Sequence, residues 1–291
     1  MINLFHPSFF KKGGFTLRHL NSHVVKNNIS KDRQAYLYNV RAYKFKVKFA
    51  QISILILFLI LWELLAYFKI IDSFITSKPS EILSTFVEMI SEGLLLHIGV
   101  TCLETIIGFI FGAVIGTALA SLLWWSPFFS QVLSPYLVIL NSLPKVALGP
   151  IIIIWVGAGT SAIITMALAI SLIVTIMEML NGFTSTDENL IKMVKTLGAN
   201  KVQTFCKIVF PANIPTLISA FKVNIGLCMV GVITGEFLVS KAGLGYLIVY
   251  GGQVFKLDLV MTSVIILAIV ASLMYNSILF LAKIITPKNY I

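Results

Sequence analysis

Apolar and polar residues alternate along this chain in blocks, not in short periods. Long apolar runs lie near residues 49–68, 100–123, 129–156, 160–180, 214–238 and 257–283. Crossing a hydrocarbon layer of about 30 Å takes about 20 helical residues at roughly 1.5 Å each. The pattern therefore predicts an all-α polytopic membrane protein with about six transmembrane helices. These occupy one membrane domain, residues 49–291, preceded by a polar N-terminal extension, residues 1–48. The third run differs from the rest because Pro135, Pro144 and Pro150 interrupt it. Broken backbone at membrane depth is tolerated only against protein or a water-filled cavity. That run is expected to line a path, either as one irregular span or as a span plus a re-entrant piece.

The longest polar interruption after the N-terminal region is expected to fold as a helical hairpin over residues 186–211. Thr186 is placed to cap its first helix, with Asp187 and Glu188 in the first turn, where the helix dipole favours negative charge. Leu190, Met193, Val194 and Leu197 recur at helical spacing and give one apolar face. Gly198 stands where a left-handed cap residue belongs. Asn200 can cap a second short helix, with Pro211 stopping it. A capped amphipathic hairpin between two spans is a surface offered to a soluble partner.

Three other patterns carry packing or loop information. Gly108, Gly112, Gly116 and Ala120 repeat every fourth residue, so one helix face lets another backbone approach closely, in this chain or in a second copy. Residues 78–92 suggest a short amphipathic helix outside the membrane, begun by Ser77 or Ser80. Gly243-Leu244-Gly245 and Gly251-Gly252 suggest a flexible outer loop.

Composition and charge sharpen this picture. Hydrophobic residues make up 58% of the chain and charged ones 12%, against about 25% charged in a soluble domain. The net charge of +10 would suit nucleic acid, but its distribution argues for topology instead. Residues 1–48 hold ten Lys/Arg and one acid, Asp32. With the N-terminus inside, cytoplasmic segments hold 16 Lys/Arg and outer segments four: Lys69, Lys78, Lys241 and Lys256. The excess of positive charge inside predicts cytoplasmic N- and C-termini, and a cytoplasmic hairpin, in a cell membrane. The extension is too long and polar for a signal peptide; it is expected to be a basic leader that fixes topology, although its lysines and aromatics would also suit an anionic lipid surface. The His19/His23 pair lacks a convincing helix, and Cys102, Cys206 and Cys228 have no metal or redox spacing. No catalytic motif is present, and no glycine is followed by lysine as a phosphate-binding loop requires. Any energy from ATP must enter through another subunit.

The spacing of the hairpin carries a family resemblance. Gly198, nine residues, Ile208, one residue, then Phe210-Pro211 resembles the cytoplasmic signature of permease subunits of binding-protein-dependent ABC importers. That signature is Glu-Ala-Ala, three residues, Gly, nine residues, Ile-x-Leu-Pro. Lys192, Met193 and Val194 stand in place of Glu-Ala-Ala, and Phe210 in place of Leu. Leu143-Pro144, Leu148-Gly149-Pro150, Trp155-Val156-Gly157-Ala158-Gly159, Gly235-Glu236-Phe237 and Gly243-Leu244-Gly245 extend the likeness over roughly residues 55–285, toward the nitrate, sulfonate, taurine and pyrimidine-precursor branch. The resemblance implies a type I importer fold and a permease that is not itself an enzyme. It implies pairing with a second copy, with two ATPase subunits that use ATP and Mg, and with an extracellular or periplasmic substrate-binding protein. It also places Leu190, Met193, Val194, Leu197, Gly198, Ile208 and Pro211 at the ATPase contact.

Charges inside apolar runs mark candidate path residues, since each costs roughly 2.5–3.5 kcal/mol at a span centre. Glu104 and Glu236 lie near the outer ends of the second and fifth spans, and either face a cavity or are hydrated at the interface. Lys222 snorkels or pairs with Glu178; Glu63 suits an interface anchor. With Pro144 and Pro150, Glu104, Lys222 and Glu236 form the candidate translocation path. The two glutamates lean the substrate toward a neutral or cationic heterocycle. The rival readings are an ion-coupled secondary transporter using Glu104, Glu236 and Lys222, and a non-transporting membrane scaffold.

Overall fold

The computed structural model describes residues 31–285. His19, His23 and residues 1–30 of the basic extension lie outside the described residues, as do residues 286–291. The first helix, α1, runs from Lys31 to Tyr67 without a break. The basic residues 31–48 and the apolar run beginning at 49 therefore share one helix, with no linker at the expected domain boundary. Among the described residues, 31–61 form one structural unit and 62–285 another.

The second unit is entirely helical among its described elements. It contains α2 (Ser73–Thr76), α3 (Pro79–Ser91), α4 (Leu94–Trp125), α5 (Pro127–Ser142), α6 (Gly149–Val156) and α7 (Thr160–Thr184). The hairpin follows as α8 (Glu188–Thr196), α9 (Lys201–Thr204) and α10 (Phe210–Ala212), then α11 (Ile214–Val239), α12 (Leu244–Gln253) and α13 (Leu257–Ile285). Five described helices are long and apolar enough to cross a membrane: Tyr36–Tyr67, Leu94–Trp125, Thr160–Thr184, Ile214–Val239 and Leu257–Ala282. A sixth crossing would be the bent pair Pro127–Ser142 and Lys145–Val156, whose axes meet at 88°.

The three prolines of that pair act differently. Pro135 sits inside α5, and Pro150 opens α6, where its missing N–H costs little. Pro144 makes the break: it forces Leu143 into an extended conformation (ψ 141°) and starts a short 3-10 turn over Lys145–Leu148.

Helix α7 is the core of the second unit, packed between α4 and α11. The small-residue face of α4 meets a matching row on α7. A β-carbon on Gly108 would lie 2.8 Å from the Ala167 β-carbon, and one on Gly116 would lie 2.6 Å from that of Thr175. Gly112 abuts the Ser171 hydroxyl. The stripe is thus an interior contact of one chain. On the other side, Gly231 and Gly235 of α11 rest on the α7 backbone at Ala167 and Ile163. Asn224 of α11 donates through Nδ2 to Thr175 Oγ1, and Thr175 donates to the Ser171 carbonyl at 2.9 Å. Small residues allow the approach, and the buried polar pair fixes the register.

Two local expectations are corrected. Neither Ser77 nor Ser80 caps α3; Lys78 holds the cap position without a side-chain bond, and Pro79 begins the helix. Ser80 instead donates from its N–H (3.1 Å) and hydroxyl (2.9 Å) to the Glu63 carboxylate. The glycines 245, 251 and 252 belong to a helix, α12, not to a flexible loop. Gly243 (φ +110°) turns the chain into α12, and Gly251 lets α13 approach, since a β-carbon there would lie 2.9 Å from Val260 Cγ2. Met89, Leu94, Met229, Leu244, Leu247, Ile266 and Val270 bury one another where α3, α4, α11, α12 and α13 meet.

Candidate functional site

The hairpin between α7 and α11 is built from local caps and an aromatic anchor. Asp187, not Thr186, caps α8: its carboxylate accepts from the Asn189 N–H at 2.8 Å. Thr186 is buried and serves the base, accepting from Asn213 Nδ2 at 2.9 Å. Lys192 donates to Glu188 at 2.9 Å, one turn away, and this hydrogen bond holds the Glu188 carboxyl below its usual range. At the other end Gly198 takes a left-handed conformation (φ +84°). The Gly198 N–H reaches the Lys195 carbonyl and the Ala199 N–H the Val194 carbonyl, each at 3.0 Å. These are the paired bonds of a Schellman cap. Asn200 and Gln203 then form a reciprocal capping box at the start of α9.

Pro211 does not stop the second arm. The backbone widens into a π-helical turn over Phe205–Val209, in which the Phe210 N–H bonds to the Phe205 carbonyl. The wider turn directly precedes the proline, whose ring would otherwise crowd the carbonyl four residues back. The arm continues through Ala212 and ends at Asn213. Asn213 Nδ2 donates to both Thr186 Oγ1 and the Val209 carbonyl (2.8 Å), closing the base of the hairpin.

Phe205 is the anchor. It is 8% exposed, and its ring lies 5.0 Å from Trp124, 5.3 Å from Phe183 and 5.8 Å from Trp125, centroid to centroid. Lys201 donates to the Trp125 carbonyl, satisfying a C-terminal group of α4. The hairpin is therefore fixed to the ends of α4 and α7 by aromatic burial. Phe205→Ala should cost about 3–5 kcal/mol at this joint. Hydrogen exchange over residues 187–210 should accelerate while α7 stays protected; unchanged exchange there would remove Phe205 from this role.

The apolar stripe of α8 divides. Ile191 packs inward on the aromatic cluster, and Val194 is half-buried. Leu190 (42%), Met193 (52%) and Leu197 (80%) are exposed on the outward side. Beside them, Val194, Leu197, Gly198, Gln203, Lys207 and Ile208 line an open cleft of about 330 Å³ in the hairpin elbow. The signature-spaced residues Gly198 and Ile208 thus meet in one surface feature, with Pro211 half-buried behind it.

The candidate path residues do not gather in one place. Glu104 and Glu236 are 2% and 1% exposed, so neither is hydrated at an interface. Thr101 Oγ1 donates to Glu236 Oε1 at 2.7 Å, and the Gly245 N–H donates to Oε2. Glu104 lies beside Glu236, with its own Oε2 buried and lacking a hydrogen-bond partner. Lys222 is half-buried on α11, about 21 Å along the helix from Glu236. No ion pair joins it to Glu178 among the described residues. Pro144 and Pro150 are exposed. Sequence reasoning missed Phe205, Asn213 and Thr101, whose partners lie far away in the chain.

The sequence profile described as "Binding-protein-dependent transport system inner membrane component" matches residues 108–289. The chain is 27% identical over 223 residues to a probable ABC transporter permease protein of Haemophilus influenzae, covering 76% of this chain and 89% of that one. It is 27% identical over 215 residues to a putative aliphatic sulfonates transport permease protein of Bacillus subtilis, covering 73% and 78%. Its fold is similar to a chain of the inward-facing MetNI methionine ABC transporter, at 20% identity and a TM-score of 0.60, covering 67% of this chain and 96% of that chain. With its packed helices and polar hairpin, the chain belongs to the binding-protein-dependent transport system inner membrane component family and is the multi-pass permease subunit of an ABC importer.

Proposed function

We propose that two copies of this permease pair in the membrane and that each receives one ATPase subunit on the hairpin of residues 186–211. The observation that carries this reading is the exposed Leu190/Met193/Leu197 stripe on a hairpin whose other side is anchored to α4 and α7. An anchored lever with a free apolar face transmits force in a way a mobile loop does not. The ATPase pair, using ATP and Mg, closes and draws the two hairpins together. The movement enters α4, α7 and α11 through Phe205 and Asn213 and switches the central path from inward-open to outward-open. A substrate-binding protein delivers the solute at the end of the bundle opposite the hairpin.

This reading requires the hairpin and both termini to be cytoplasmic, in line with the lysine and arginine distribution. A single cysteine at residue 190, on a cysteine-free background, should resist a membrane-impermeant maleimide in intact cells and react after permeabilisation. Labelling in intact cells would overturn the orientation. Native mass spectrometry of the purified complex should give two permeases and two ATPases. The substrate follows from the ligand of the binding protein. Burial of Glu104 and Glu236 inside the protomer removes the argument that their charge selects a cationic or neutral solute. It also separates them from Lys222, leaving the ion-coupled reading without an assembled site.

A further inference from the structure

Four backbone N–H groups at the start of α12 point at side chains of other helices. The Gly243 N–H donates to His97 Nδ1 at 3.0 Å, and the Leu244 N–H donates to Thr101 Oγ1 at 2.8 Å. The Gly245 N–H donates to Glu236 Oε2, and the Tyr246 N–H lies against the same carboxylate. A helix leaves its first N–H groups unpaired and carries partial positive charge there. Here a buried carboxylate from α11 and a hydroxyl and an imidazole from α4 take up that whole set. Thr101 joins the two helices directly by donating to Glu236 at 2.7 Å. Neither Gly243 nor Gly245 can carry a side chain, because its β-carbon would fall on the Glu236 carboxylate or the α11 backbone. The loop before α12 is closed on itself as well, with the Ser240 hydroxyl donating to the Ala242 carbonyl.

We propose that Glu236 is a positioning residue of the transport cycle, locking α12 to α4 and α11 so that the end of the bundle opposite the hairpin moves with the core. The role rests on the importer reading above, in which α4 and α11 receive the motion of the hairpin. Glu104 supports Glu236 from the side and is not a second lock, because the α12 N–H groups all go elsewhere. Glu236→Gln keeps the shape but leaves one acceptor oxygen where there were two, so it cannot accept from both the Gly245 N–H and the Thr101 hydroxyl. Glu104→Gln keeps the shape beside Glu236 and leaves every bond to α12 in place.

The test is hydrogen exchange by mass spectrometry on the full permease–ATPase complex, with and without ATP plus vanadate. In Glu236→Gln, the amides of residues 243–246 should exchange about tenfold faster, with α7 unchanged. In Glu104→Gln they should stay within about twofold of the parent. In the parent, exchange in α12 and in the distal turns of α4 should respond to nucleotide together; in Glu236→Gln the α12 response should be lost while vanadate trapping persists. Unchanged protection of residues 243–246 in Glu236→Gln would overturn the lock, whatever the nucleotide does. Faster exchange there with an intact nucleotide response in α12 would overturn its role in the cycle. A parent complex that traps no vanadate and shows no nucleotide response would overturn the importer coupling itself, and the cycle role with it.

Discussion

Gly198→Val leaves the permease inserted in the membrane but separates ATP hydrolysis from transport. At φ +84° a residue with a β-carbon is strained by about 1 kcal/mol or more, and a β-branched one by more still. No atom lies within 4 Å of where the β-carbon would stand, so the effect is conformational and not a collision. To relieve the strain, the substituted residue must leave the left-handed region, which breaks the paired bonds from residues 198 and 199 to Lys195 and Val194. The two arms of the hairpin then lose their set angle, with Phe205 still holding the second arm in its aromatic socket. The exposed Leu190, Met193 and Leu197 lose their fixed relation to the elbow cleft. The variant should bind the ATPase weakly, or hydrolyse ATP with uptake reduced at least tenfold. Gly198→Asn should retain most function, since asparagine tolerates this conformation. ATPase co-purification, hydrolysis and uptake must be measured together. A valine variant matching the parent in all three would show that the hairpin is not the coupling element.

Gly112→Leu should abolish recovery of an intact complex from detergent. The site has no room: even a β-carbon would meet the Ser171 hydroxyl, and Ser171 is fully buried. Overpacking of a tight interior typically costs about 1–3 kcal/mol, and here the displaced neighbour is α7, on which α11 also rests. The damage should therefore spread beyond one helix pair. Exchanging the small groups tests the contact directly: Gly112→Ala alone should lower thermal stability, and adding Ser171→Gly should restore much of it. Normal recovery and full uptake by Gly112→Leu would mean that this face meets lipid. Restoration by Ser171→Gly would tie the defect to the α4–α7 contact within one chain.

Much of the architecture was legible in the sequence because the membrane imposes it. Hydrocarbon leaves a chain little choice but helices of about 20 residues, so the apolar runs located the spans, closely at Thr160–Thr184, Ile214–Val239 and Leu257–Ala282 and less so at the start of α1. The hairpin was legible for a related reason. Gly198, Asn200 and the acids at 187 and 188 act through bonds to their own neighbours in the chain, and such bonds follow from spacing alone. The four-residue repeat of small residues likewise announced a close helix contact, although its partner on α7 was not visible.

What the sequence left open depended on residues far apart in the chain. Asp187 and Thr186 can both cap a helix by type; the distant Asn213 claims Thr186, and Asp187 takes the cap. Prolines 135, 144 and 150 look alike as breakers, yet the break falls at Pro144, while Pro150 sits in the first turn of α6, where a missing donor costs little, and Pro135 lies within α5. Glu104 and Glu236 looked like path residues because a carboxyl in an apolar run is costly. The structure meets that cost for Glu236 with N–H groups of α12 and the Thr101 hydroxyl, from helices that an apolar-run analysis cannot bring together. The sequence by itself determined the apolar spans and the Gly198 and Asn200 caps, since hydrophobic length and local hydrogen bonding are properties of a segment. Only the tertiary structure decided which face of α8 stays free, which proline bends the chain and what Glu236 holds, since each depends on the group that arrives from another helix.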